Sequence, residues 1–202
     1  MATLWTVACT DPAVLGTDAA AVDATAPLDA AALAEDAAAA DATVPPGQRV
    51  FVTSGDYAAT DLAAFDSLCD DIATAASLGG RWTAWLAVGR RGGGERVEGD
   101  GPWVDLAGAV VFPDRAAFAS GPVARLRLDE RGQEVRSSPV WTGTSGDGTA
   151  TGNNCQNWST NAAAAVGTLG SVGEGTSEWT RRATAAPCSG RGHVYCFERP
   201  AP

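Results

Sequence analysis

The stretch RVFVTSGDYAATDLAAFDSLCDDIATAASLGGRWTAWLAV, residues 49–88, decides the fold class. Its start, RVFVTS (49–54), has the β-branched and aromatic bias of a strand. From Thr60 the period changes. Leu62, Phe65, Leu68, Cys69, Ile72 and Ala76 recur at three and four residues and form one face of a helix. Thr60 suits the N-cap, Asp61 suits the positive first turn, and Gly79-Gly80 end the helix. RWTAWLAV (81–88) returns to strand composition.

Further along, RRGGGERVEGDG (90–101) reads as a polar glycine-rich loop. VDLAGAVVF (104–112) leads to Pro113, which can open a short helix over 113–119. VARLRLDERGQEVR (123–136) alternates apolar and charged residues around Arg131-Gly132 and reads as an exposed hairpin. PVWTGT (139–144) is a short strand before a long polar loop, and GHVYCFE (192–198) is the last strand. One good helix, one short one and several strands joined by long loops predict an α+β domain over 49–199.

The charge is uneven. Of 202 residues with a net charge of −10, residues 1–48 hold seven acids and no base: Asp11, Asp18, Asp23, Asp29, Glu35, Asp36 and Asp41. All 14 basic residues are arginines, and all lie beyond residue 48. The Ala/Asp-rich segment 10–48 has little to bury, so ordering entropy predicts a disordered linker, closed by Pro45-Pro46-Gly47. The net negative charge argues against nucleic acid and against unaided binding to anionic lipid. No apolar run approaches the ~18 residues of a spanning helix.

Five cysteines stand at 9, 69, 155, 188 and 196. The four in the domain lack the close pairs of zinc sites, and a loop-rich chain favours disulfides in an oxidising compartment. Four cysteines allow three pairings, and spacing alone does not choose among them. Cys9 follows WTVA and precedes the acidic linker, which resembles the maturation site of a bacterial lipoprotein. Thr6 stands where Leu is usual, and the eight preceding residues lack a basic start. A truncated or misassigned start explains the departure, and residues 1–9 are then the remnant of an export signal. Lipidation at Cys9 would hold the domain at a membrane through that anchor alone.

The order RVFVTS, a helix with Cys69, LGGRWTAWL, VVFPDRAAFASGP, VWTGTSGDGT, NNCQNWST, Cys188 and HVYCFE resembles the endostatin domain of certain collagens, a C-type-lectin-like fold. It is more similar still to bacterial endostatin-like domains, whose best-known members are leptospiral surface proteins. The resemblance covers about residues 49–198. It implies the pairs Cys69–Cys196 and Cys155–Cys188, nested, with Cys9 left over. It also implies an adhesin: a non-enzymatic surface lipoprotein whose domain binds an extracellular protein or glycan. A secreted enzyme on a lectin-like scaffold and a self-associating envelope protein are the rival readings.

Two family properties do not carry over. The zinc-binding histidine cluster has no counterpart, because the chain has one histidine, His193, near the far end. Heparin binding is disfavoured by acids interleaved among the arginines. No EPN, QPD or WND triplet of calcium-dependent lectins occurs, so no cofactor or metal is expected.

The loop TSGDGTATGNNCQNW (144–158) supplies the ligand-binding candidates Asp147, Asn153, Asn154 and Asn157, whose oxygens suit a sugar hydroxyl or hard cation. The competing reading is that Asp, Asn and Gly bond their own backbone in turns. Trp141 and Trp158 are expected in the core. Trp103, beside Gly101-Pro102, is the exposed candidate. His193 lacks triad partners in the sequence and reads as a surface or half-buried residue.

Overall fold

The computed structural model describes residues 47–201. Cys9, the signal remnant 1–9 and all but the end of the linker 10–48 therefore lie outside the described residues. The fold is α+β, with few helices and several small sheets.

The hydrophobic run at the start forms strand β1 (Gln48–Val52) and takes the centre of a five-stranded sheet. On one side it pairs antiparallel with the last strand, β10 (Tyr195–Glu198), in the register Phe51↔Cys196. On the other it pairs in parallel with β4 (Trp103–Val104). Strand β3 (Trp82–Ala84) completes one edge and β5 (Val110–Phe112) the other. Side chains alternate across a strand, so β1 and β10 each feed two cores. Val50, Val52, Tyr195 and Phe197 face one cluster; Phe51, Val194 and Cys196 face the other.

The expected helix is present but begins differently. A 3-10 turn over Ala59–Ala64 precedes α1 (Phe65–Ala75). Thr60 is not the cap, a correction to the sequence reading. The Asp61 carboxylate instead accepts the Ala58 N–H at 2.9 Å, and Ala58 is the N-cap, so the helical run starts two residues earlier. Positive φ angles at Ser77, Gly79 and Gly80 turn the chain away after Ala76.

α1 also closes the sheet. Asp70 accepts the Trp82 N–H at 2.6 Å and Asp66 accepts the Ala84 N–H at 3.1 Å. The outward donors of an edge strand are thus occupied, which removes a template for pairing with another chain.

A second sheet has the order β6 (Pro139–Trp141), β7 (Val166–Ser171), β8 (Ala183–Pro187). β7 and β8 arise in the segment read from sequence as polar loop. VGTLGS and ATAAP carry little β-branched or aromatic signal, and tertiary pairing makes them strands. Gly167 of β7 shows why small residues are needed. A Cβ there would stand 2.7 Å from the Trp141 ring and 2.9 Å from Cys155 Sγ. A third ribbon pairs β2 (Tyr57–Ala58) with β9 (Arg191–Gly192).

The remaining elements are single turns: α2 (Gly93–Arg96), α3 (Ala117–Ser120), α4 (Cys155–Trp158) and a 3-10 turn over Ser177–Trp179. The segment 123–136 is only partly the exposed hairpin expected. It has a bridge Leu128↔Glu134, but Leu126, Asp129 and Glu130 are buried. The Val52 N–H donates to Leu128 O at 2.9 Å and lashes the segment to β1. No helix among the described residues is long and apolar enough to cross a membrane.

Disulfides join Cys69 to Cys196 and Cys155 to Cys188, with sequence separations of 127 and 33. The second is enclosed within the first. One fastens α1 to β10; the other fastens α4 to the chain just after β8.

Candidate functional site

Four of the candidate residues lie on the loop 144–158. Asp147 sits at the tip of a turn closed by the bridge Thr144↔Ala150. Its carboxylate accepts from the Ser145 hydroxyl, from Thr149 Oγ1 at 2.7 Å and from the Thr149 N–H at 3.1 Å. The Ser145 hydroxyl, followed by these Thr149 donors, holds the Asp147 carboxyl down at about 2, below its ordinary 3.8.

The asparagines are likewise engaged. Asn153 donates to Thr184 O at 2.6 Å. Asn154, 6% exposed, accepts the Asn157 N–H at 3.0 Å and donates to Asn157 Oδ1 at 2.8 Å. Asn157 Oδ1 also accepts the Gly89 N–H at 2.7 Å. These bonds brace an unusual turn, because Cys155, Gln156, Asn157 and Trp158 all have φ between 51 and 65°. L-residues adopt that conformation at a cost of ~1–2 kcal/mol each. Buried Cys155 in its disulfide, and Trp158 donating to Ala87 O at 2.9 Å, hold the two ends.

The candidates therefore do not converge. Asp147 lines a recess of about 270 Å³ with Gly94, Arg115 and Phe118, and none of the three asparagines lines it. The loop bonds mainly to itself and to its supports, as turn-forming residues do.

Trp103 requires a correction: it is 0% exposed. Pairing of β4 with β1 draws its ring inward, where its centroid lies 4.7 Å from Phe118 and 6.2 Å from Phe197. Trp141 and Trp158 are buried, as are Trp82, Trp85 and Trp179. His193 is half-buried, with Nδ1 at 2.7 Å from Thr53 O, and belongs to the sheet's hydrogen bonding. No group of three or more His, Cys, Asp or Glu side chains able to hold a metal occurs among the described residues.

One concavity was not singled out by sequence. At the end of the β6-β7-β8 sheet, a cleft of about 370 Å³ is lined by Ser137, Ser138, Pro139, Leu169, Ser171 and Arg182, with Gly170 and Ala183. Register places Pro139 opposite Ser171 and Leu169 opposite Ala183. Ser171 is 1% exposed, and its carbonyl accepts the Tyr195 hydroxyl at 3.1 Å, fixing it to the core. Its hydroxyl lies 3.2 Å from Ser137 Oγ and accepts from Arg182 Nη1 at 3.1 Å. The cleft thus has hydroxyls and one cation at its polar end, and an aliphatic floor. The one sequence signal is the doublet Arg181-Arg182; the serines are brought to it only by strand pairing.

A second polar recess, of about 260 Å³, lies between α1 and Glu130. Glu130 is 7% exposed and accepts the Ser54 N–H at 2.8 Å as well as the Ser54 hydroxyl. Burial, followed by the Glu130 charge, raises the pKa of the Tyr57 phenol.

No protein-family model matches the chain, and no curated protein matches it either.

Proposed function

We propose that residues 49–199 form an endostatin-like domain of C-type-lectin-like fold that works by binding and not by catalysis. Its ligand is an extracellular protein or glycan. In this reading the protein is exported and held at the cell surface by lipid on Cys9, with residues 10–48 as the tether.

The observation that carries the reading is the nesting of Cys155–Cys188 inside Cys69–Cys196. That is the connectivity the resemblance implies, and it joins the helix to the closing strand. Disulfides of this kind belong to oxidising compartments. Rigid scaffolds of this sort carry recognition on the surfaces between their elements.

Two experiments test it. Membrane fractionation of cells expressing the gene from its native locus, with and without Cys9→Ser, is expected to release only the variant. If both forms fractionate as soluble after export, the anchor is wrong. A matrix-protein and glycan array probed with the oxidised full chain is expected to return a ligand lost on reduction. Turnover of a glycan or peptide on that array would instead make the protein an enzyme.

A further inference from the structure

We infer that the cleft between β6, β7 and β8 binds a carboxylate carried on a compact aliphatic group. The inference rests on the binding-domain reading above and names the ligand chemistry of one site.

The argument begins with Arg182. Its Nη1 is committed to Ser171, which orients the guanidinium at the cleft wall. Among the described residues, Nε and Nη2 have no hydrogen-bond partner, and no carboxylate pairs with Arg182. No acidic side chain lines the cleft. A guanidinium edge with two parallel N–H donors matches the two oxygens of one planar carboxylate. Ser137 and Ser138 add donors beside it.

The neighbouring cation does not help to bind an anion here. Arg181 lies beside Gly146 and does not line the cleft. One guanidinium balances the single charge of a carboxylate better than the double charge of sulfate or a phosphate ester. The rest of the lining sets the ligand's body. Pro139, Leu169 and Ala183 form an aliphatic floor, and no aromatic ring lines it, so the face of a sugar has nothing to stack on. About 370 Å³ is at the small end of ligand cavities and has room for a branched aliphatic acid. A free branched aliphatic acid and the last residue of a peptide share this chemistry.

Calorimetry and amide NMR on the oxidised full chain decide the matter with four probes: 4-methylpentanoate, N-acetyl-Ala-Leu as the acid, the same dipeptide as the amide, and inorganic sulfate. The acids are expected to bind and to shift the amides of Ser171 and Ala183. The amide and sulfate should bind at least about tenfold more weakly. Arg182→Gln should weaken acid binding by about tenfold, whereas Arg181→Gln should leave it within about twofold. Binding of both acids assigns a pocket for free acids; binding of the dipeptide acid alone assigns a chain terminus; either supports the inference.

The inference is overturned if amide or sulfate binds as tightly as acid, if Arg182→Gln binds as the parent does, or if no probe shifts those amides. The acid–amide comparison uses the unaltered chain, so it does not depend on how a variant folds. An array ligand retained in full by Arg182→Gln would remove the cleft assignment and leave the binding-domain reading standing. Acid binding in the cleft with a silent array would do the reverse.

Discussion

The two faces of the central sheet are stabilised in different ways. One face carries Trp85, Trp103, Phe112, Phe118, Trp179 and Phe197, with no cysteine. Trp85 lies at its middle, 4.5 Å from Trp179 and 4.8 Å from Phe118, and donates to Thr180 Oγ1 at 2.7 Å. The other face holds all four bonded cysteines among Phe51, Leu62, Trp82, Trp141 and Trp158. The aromatic face is held by interlocking rings contributed by strands and nearby turns. The disulfide face must hold α1 and the left-handed turn at 155–158, neither of which is long enough to be stable alone. Cross-links supply there what burial supplies on the other side.

Removing Cys69–Cys196 by a double Cys→Ser change tests the comparison most severely. Its long loop gives an expected loss of up to about 5 kcal/mol in the chain-entropy model, measured by guanidinium unfolding of oxidised protein. On the opposite face, Trp179→Ala should cost about 4 kcal/mol through the cavity it leaves. The two losses should add, because the sites lie on opposite sides of the sheet. Strong non-additivity would mean that the faces form one core and that the contrast is false.

A smaller effect concerns the seam between α1 and the sheet. Asp66 receives both oxygens' worth of bonding from Arg96 Nη2 at 2.8 Å and also accepts the Ala84 N–H. Asp66→Ala should cost about 2 kcal/mol, since it strands a largely buried guanidinium and an edge N–H. A loss below that of an ordinary surface pair would show that the helix is held by the disulfide alone.

Gln156→Gly sharpens the comparison in the other direction. Gln156 is exposed with φ 55° and ψ 52°. Glycine relieves the left-handed strain but gives back chain entropy, so a gain of about 0.5 kcal/mol is expected. A loss would mean that the turn is not held in this conformation.

The smallest effect is at Asp147. Its folded carboxyl is depressed to about 2, so its contribution is present above the ordinary value of 3.8 and fades as pH falls through about 2. An NMR titration of the side-chain carboxyl checks this directly. Asp147→Asn should remove the acid-side change, and a midpoint near 3.8 would show that the Ser145 and Thr149 donors are not aimed at it.

Several of these features were legible from sequence because they are local. The three-and-four spacing from Leu62 to Ile72 marked the helix, and the β-branched run at 49–54 marked β1. Asp, Asn and Gly at 144–158 marked turns. The Cys pairing came from resemblance, since spacing permitted three connectivities. β7 and β8 escaped notice because small residues say little about pairing until a partner stands beside them. The inward turn of Trp103 escaped for the same reason: its burial is a consequence of β4 lying against β1, some fifty residues away.

By itself, the sequence determined the α+β class, the place of the main helix, the acidic N-terminal segment and the number of cysteines available for bonding. Those follow from periodicity, composition and charge, each of which acts over a few neighbouring residues. Only the tertiary structure decided that the loop amides are spent on supporting a left-handed turn, and that Ser137, Ser171 and Arg182 meet. Such meetings depend on strand register across long stretches of chain, and one residue of slip would turn each of those side chains to the opposite face.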